Sequence, residues 1–254
     1  VVDGSRKKVP VLEYVGKNVG IRRAKGQFVL AMNPDIIIPE NVLAELEDLQ
    51  NNWFYRVDRV DFRQNDQESK IDLNDIAKNA FKCYLKGFQY SLNGYSSFKL
   101  SLLRGFNQFK SFFHLKFIVW FRYLFLLIGW KPNPHNAEFQ YHCNVSGDFM
   151  LMHRDHWFRL KGNPENTFMS LHTDALMVIM AATSELKETI LNHPIFHQDH
   201  TRRYDASEEA DSEYRKVYLD FQSQAQQMIA QKEPIIYNND DWGLSEETLP
   251  EIKI

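Results

Sequence analysis

Residues 27–32, QFVLAM, form a strand-length apolar run that stops at Asn33-Pro34-Asp35. Ahead of it, residues 11–25 carry helix formers with apolar groups at helical spacing, and Gly26 supplies a stop. Beyond it, Pro39 opens a second helix, ENVLAELEDLQ, whose Val42, Leu43, Leu46 and Leu49 share one face. A short buried strand between two helices specifies an α/β domain, and open α/β sheets collect ligands at strand ends. Asn33 and Asp35 sit at that position, so Asp35 is a candidate metal ligand.

The rest of the chain continues the pattern. Residues 53–62, WFYRVDRVDF, alternate over Tyr55, Val57, Val60 and Phe62 and predict one strand. A polar loop follows over 63–75. Residues 149–152 predict a strand with a short helix behind it, and 172–183, HTDALMVIMAAT, an apolar helix. PIFHQDH, with His197 and His200, predicts a short strand or loop, and 206–232 a charged surface helix ahead of a tail containing Trp242. The whole reads as a single domain over 1–254, with 206–254 as its C-terminal helix and tail.

Charge is unevenly distributed. The net charge of −3 combines +9 from residues 76–137, which contain no Asp or Glu, with −12 from the remainder. The same 62 residues hold 16 of the 35 aromatics. This composition predicts a helical, aromatic and basic insertion over 76–137 that packs on the main domain and suits an anionic membrane surface. Residues 111–130 approach the length of a bilayer span, but Lys116 and Arg122 interrupt them, each costing roughly 2.5–3.5 kcal/mol on insertion scales. That weighs against a spanning helix. Cys83 and Cys143 stand far apart without CxxC spacing, which favours a reducing, cytoplasmic compartment over a disulfide framework or zinc site. No signal-peptide pattern opens the sequence. No nucleic-acid partner is expected.

Two blocks carry a resemblance. KNVGIRRAKGQFVLAMNPDIII resembles the family 2 glycosyltransferases, in which a helix with Asn and Gly precedes an Ala-x-Gly, an apolar strand and an acidic DXD-like motif. SGDFMLMHRDHWFRLKGNPE followed by HTDALM resembles their later block, a Gly-containing strand followed by Arg, Trp, Gly-x-x-Glu and an acidic pair. The resemblance covers about 14–62 and 140–200.

It implies a GT-A fold, a Rossmann-type mixed sheet flanked by helices, acting on a nucleotide-sugar donor and a glycan, glycolipid or protein acceptor. It also implies Mn²⁺ or Mg²⁺. Asp35 would hold that metal, a hard oxygen ligand for a hard cation that neutralises charge on the departing diphosphate. Asn33 replaces the first acid of the motif. Asp174 matches the general base of the inverting members, with Thr173 where they carry another acid; the structural alternative is a helix cap. Asp148 and Arg154 match cleft-lining positions, and a salt-bridged scaffold role is equally open for Arg154. Lys17, Asn18, Arg22 and Arg23 match the helix that faces the donor, where cations suit phosphate. Helical neighbours point about 100° apart, so at least one of the two arginines faces solvent. His200 matches a late metal-binding histidine, with a surface histidine as the alternative. His142 and Glu165 are weaker candidates, and Trp242 reads as a packing anchor.

Family members carry a further strand, helix and strand ahead of this helix, which bind the nucleotide base. About fifteen residues stand there in this sequence, so the chain is either a piece of a longer protein or lacks part of the donor site. The rival reading is a non-catalytic GT-A-like binding or scaffolding module. A nucleotidyltransferase would need a Gly-rich phosphate loop near a first strand, and the sequence shows none.

Overall fold

The computed structural model describes residues 13–63, 73–108, 140–165, 172–199 and 208–249. The elements are α1 (Glu13–Arg23), β1 (Phe28–Ala31), β2 (Ile36–Ile37), α2 (Glu40–Ala44), β3 (Trp53–Arg56), β4 (Arg59–Phe62), α3 (Leu73–Asn79), β5 (Ala80–Leu85) and β6 (Phe88–Ser91). After helix α4 over 97–108 come a 3₁₀ turn (Ser146–Asp148), β7 (Met150–His153) and α5 (Arg154–Arg159). The chain then forms α6 (Thr173–Thr183), β8 (Lys187–Ile190), β9 (Ile195–Gln198) and α7 (Glu208–Gln231).

The strands make two mixed sheets, ordered β1-β7-β3-β8 and β2-β9-β4-β5-β6. The domain is therefore mixed α/β, as expected, but the single strand over 53–62 is two. Residues 53–62 and 187–198 run parallel through both sheets, β3 against β8 and β4 against β9. At the break, the Leu191 N–H donates to the Arg56 carbonyl at 2.9 Å and the Ile195 N–H to the Asp58 carbonyl at 3.0 Å.

Buried charge fills this junction. The fully buried Arg56 guanidinium donates to the carbonyls of His142, Asn144 and Ser146 at 3.1, 3.1 and 3.2 Å. The Asp58 carboxylate meets His142 Nε2 at 2.9 Å and accepts from Arg104 Nε at 2.6 Å. Buried charges persist only when paired. Here their pairing pins the loop before β7, and with it Gly147 and Asp148, over the sheets.

The largest core lies between the first sheet and the helices. α6 is apolar on all sides and correspondingly buried from Ala175 to Ala181. α7 covers it with Phe221, Ala225 and Met228, at i, i+4 and i+7. Trp157 and Trp242 complete this core, so Trp242 is the packing anchor that was expected.

The helical insertion needs correction. Residues 80–91 form an antiparallel hairpin, β5 and β6, that extends the second sheet, and the described helical parts are the end of α3 and α4. Phe81, Cys83, Tyr84 and Tyr90 are strand formers, and Lys82 and Lys86 disguised the pattern. Residues 109–137 lie outside the described residues. α2 is also shorter than expected and ends at Ala44. Leu46 and Leu49 still pack beneath it in the core around Val42. Among the described residues no helix is long and apolar enough to cross a membrane.

Candidate functional site

The site is built where β1 and β7 run antiparallel. Ala31 pairs with Met150 and Phe28 with His153, so Asn33, just past β1, meets Asp148, just before β7. Asn33 Nδ2 donates to Asp148 Oδ1 at 2.7 Å. From α1, Lys17 Nζ donates to Asn33 Oδ1 at 2.6 Å, Glu13 Oε1 at 2.8 Å and the Gly147 carbonyl at 3.0 Å. From the start of α6, Asp174 Oδ2 accepts the Gly147 N–H at 2.6 Å. Lys17, Asn33, Asp148 and Asp174 are thus brought together around one glycine. Asp174 is not the cap of its helix: that position is His172, and Asp174 Oδ1 accepts the N–H of Ala175 at 2.9 Å.

Burial sets the electrostatics. It raises the Asp148 carboxyl above the ordinary range, and Asp174 adds to this while Arg59 opposes it. The Tyr14 phenol is raised well above its usual value, first by burial and then by the Asp174 and Glu13 charges. For Arg59 burial works the other way, but Asp148 and Asp61 outweigh it and hold the guanidinium above its ordinary value. Arg59 Nη1 donates to Asp148 Oδ2 at 2.6 Å, and its Nε lies 2.8 Å from Asp61 Oδ1.

The polar chain continues to Asp35, which tests the expected metal. His197 Nδ1 lies 3.2 Å from Asp61 Oδ1, and Nε2 lies 3.4 Å from Asp35 Oδ2. The imidazole stands between the two carboxylates, so the three groups do not converge on one point. Among the described residues no three His, Cys, Asp or Glu side chains are grouped to hold a metal ion. Asn33 Oδ1, at the first position of the motif, is engaged by Lys17. The described protein groups therefore do not by themselves form a cage for Mn²⁺ or Mg²⁺ at Asp35. His200 lies outside the described residues.

The remaining candidates fall elsewhere. Arg154 is carried to the far end of β7, where its N–H donates to the carbonyl of Gln27 at 2.8 Å and its guanidinium lies 4.4 Å from the Phe158 ring centre. The antiparallel register that joins Asn33 to Asp148 is what separates Arg154 from them. Arg22 and Arg23 hold the tail: Arg22 donates to the Trp242 carbonyl at 3.0 Å and lies 4.8 Å over its ring. Arg23 donates to the carbonyls of Gly243 and Leu244, both at 2.8 Å. Asn18 is buried and locks the same region, donating to the Asn163 carbonyl and Glu165 Oε1 at 2.7 and 2.8 Å. Glu165 Oε1 also accepts the Gly243 N–H at 2.8 Å. A Cβ on Gly162, which has φ +70°, would fall 2.4 Å from Asn18 Oδ1, so only glycine fits that turn.

Sequence reasoning missed Tyr14, Arg59 and Asp61. The signal was present in RVDRVDF. Four charges inside a strand-length run need internal partners whenever both faces of the strand are covered. Compared with known proteins, the chain matches no family model, no curated protein and no solved structure.

Proposed function

We propose that the chain is a GT-A-type glycosyltransferase domain that moves a sugar, with inversion, from a nucleotide-sugar donor to a hydroxyl of a glycan, glycolipid or protein. The observation that carries this reading is the meeting of Asn33, Asp148 and Asp174 around Gly147. The resemblance assigns these groups to one cleft, and they arrive from segments 115 and 27 residues apart.

Asp174 is the base. Its two oxygens each accept a backbone N–H, which fixes the carboxylate while leaving lone pairs for a third partner. The acceptor hydroxyl oxygen forms the new bond to the anomeric carbon as its proton passes to Asp174. The bond from that carbon to the phosphate oxygen breaks, and the nucleoside diphosphate leaves with the electron pair. Lys17 and Asn33 keep Gly147 and Asp148 in register for this step.

A peripheral, cytoplasmic position on an anionic membrane belongs to the same reading. α4 exposes Phe98, Leu102 and Phe106 at i, i+4 and i+8, within the stretch that carries nine cations and no anion. The basic composition of that stretch favours an anionic bilayer as the occupant of that face.

The rival reading, a non-catalytic binding module, is favoured by one observation. Lys17, Arg22 and Arg23, the cations the resemblance assigns to the donor, already have partners within the chain. Calorimetry with a panel of nucleoside diphosphates, followed by a transfer assay with the nucleotide sugar that binds, separates the two. Binding with transfer that Asp174→Asn abolishes supports the enzyme. Binding without transfer supports the module.

A further inference from the structure

At Asn33, the first position of the motif whose Asp35 the resemblance assigns to a divalent cation, this chain holds an ammonium. Lys17 Nζ lies 2.6 Å from Asn33 Oδ1, 2.8 Å from Glu13 Oε1 and 3.0 Å from the Gly147 carbonyl. A lysine ammonium has three N–H donors and no acceptor, so these contacts use it fully. The side chain is only 12% exposed. Carboxylate, amide and backbone oxygens are also the donor types that Ca²⁺, Mg²⁺ or Mn²⁺ would take.

Asn33 fits the same arrangement. Because the ammonium can only donate, Asn33 turns its oxygen to Lys17, which leaves Nδ2 to donate to Asp148 Oδ1 at 2.7 Å. A carboxylate at position 33 would instead place two anions in contact. Asp148 Oδ2 is closed by Arg59 at 2.6 Å. The departure from DXD at Asn33 and the presence of Lys17 are therefore two halves of one design.

We infer that Lys17 is the resident cation of this site, occupying the place of a divalent metal, and that the chain takes a nucleoside diphosphate without one. The diphosphate half rests on the glycosyltransferase reading; the place of Lys17 does not. Lys17 is a positioning residue, acting through Asn33 and Gly147 and through its charge.

Mn²⁺ alone is titrated into the intact chain while the electron paramagnetic resonance of the free ion is followed. The wild type leaves the ion free. Lys17→Ala combined with Asn33→Asp, which vacates the place and restores a carboxylate, takes up one equivalent at least about tenfold more tightly than the wild type. The inference is overturned if the wild type binds one equivalent that Glu13→Gln or Asn33→Ala abolishes, or if the folded double variant gains nothing. Should that variant not fold, the wild type decides: a nucleoside diphosphate affinity equal in excess EDTA and excess Mn²⁺ supports it, and a gain of about tenfold with Mn²⁺ overturns it. Failure of every nucleotide to bind overturns the glycosyltransferase reading and the diphosphate half with it, while the Mn²⁺ titration still decides the place of Lys17.

Discussion

The Gly147 N–H donates to Asp174 Oδ2 at 2.6 Å, and a Cβ on residue 147 would stand 3.1 Å from that same oxygen. The hydrogen bond and the missing side chain act together: with nothing projecting from residue 147, the carboxylate comes this close without crowding. Gly147→Ala pushes Asp174 aside by a few tenths of an ångström or more. Transfer should fall by up to about 100-fold, the cost of a misplaced catalytic group. Single-turnover rates check this, with a melting curve close to that of the wild type showing that the fold holds.

Asp174→Asn keeps the shape and removes the base. The transfer rate should fall by about 10²–10⁴, the usual contribution of general base catalysis. Nucleoside diphosphate affinity should stay within about threefold, because the amide oxygen keeps the Gly147 N–H and only the Ala175 N–H, on its own helix, loses its acceptor. Calorimetry and a transfer assay on the same preparation separate loss of chemistry from loss of binding.

What the sequence made legible follows from which faces are buried. β1 and α6 each carry one dominant hydrophobic signal and lie where that signal put them, whereas α7 falls within the charged helix expected over 206–232 but its buried stripe of Phe221, Ala225 and Met228 is hidden among those charges. Residues 53–62 did not reveal their break, because β3 and β4 are buried on both faces except at Trp53, and alternation loses its meaning in a fully covered strand. The hairpin of β5 and β6 was hidden by Lys82 on β5, which lies inside the edge strand β6, and by Lys86 in the turn, both of which interrupt the strand-forming run. At the site, Asn33, Asp148, Asp174 and the Lys17 that holds Asn33 came from the resemblance. Arg59 shows in the sequence only as one of the charges in RVDRVDF, and the role of the Gly147 backbone becomes visible only once β1 and β7 are paired.

Arg59 lies between Asp61 and Asp148, with side-chain exposures of 8%, 3% and 4%. Removing one member of a buried ion network leaves the others uncompensated. Arg59→Met should therefore destabilise the fold by about 3–5 kcal/mol. Urea denaturation followed by tryptophan fluorescence checks this, and a change below about 1 kcal/mol would mean that water already compensates these acids.

Phe98, Leu102 and Phe106 are 73%, 58% and 53% exposed on one face of α4. Replacing Phe98 and Leu102 by Asp should weaken sedimentation with phosphatidylserine vesicles by about tenfold or more, through lost apolar burial and added repulsion. Neutral phosphatidylcholine vesicles should bind neither protein. Equal sedimentation of wild type and variant would mean that this face does not contact the bilayer.

Glu45 gives the acid limb of stability a specific origin. Burial would raise its carboxyl, but the N–H groups of Asn192 and His193 and the His193 ring outweigh burial and hold it below the ordinary range. Its oxygens accept from Asn192 N at 2.7 Å and His193 N at 3.0 Å, and one lies 2.6 Å from His193 Nδ1. A carboxyl depressed in the folded state binds protons less readily there than in the unfolded chain, so its contribution is full above the unfolded value. That contribution is lost as pH falls from the ordinary carboxylate range through the depressed folded value. Glu45→Gln should lower stability at neutral pH by about 1 kcal/mol or less, as for other pairs in contact with solvent. The difference between variant and wild type should shrink as pH falls through that window. Urea midpoints measured across the acid range check it, and a difference that stays constant with pH would mean that Glu45 acts by packing rather than by charge.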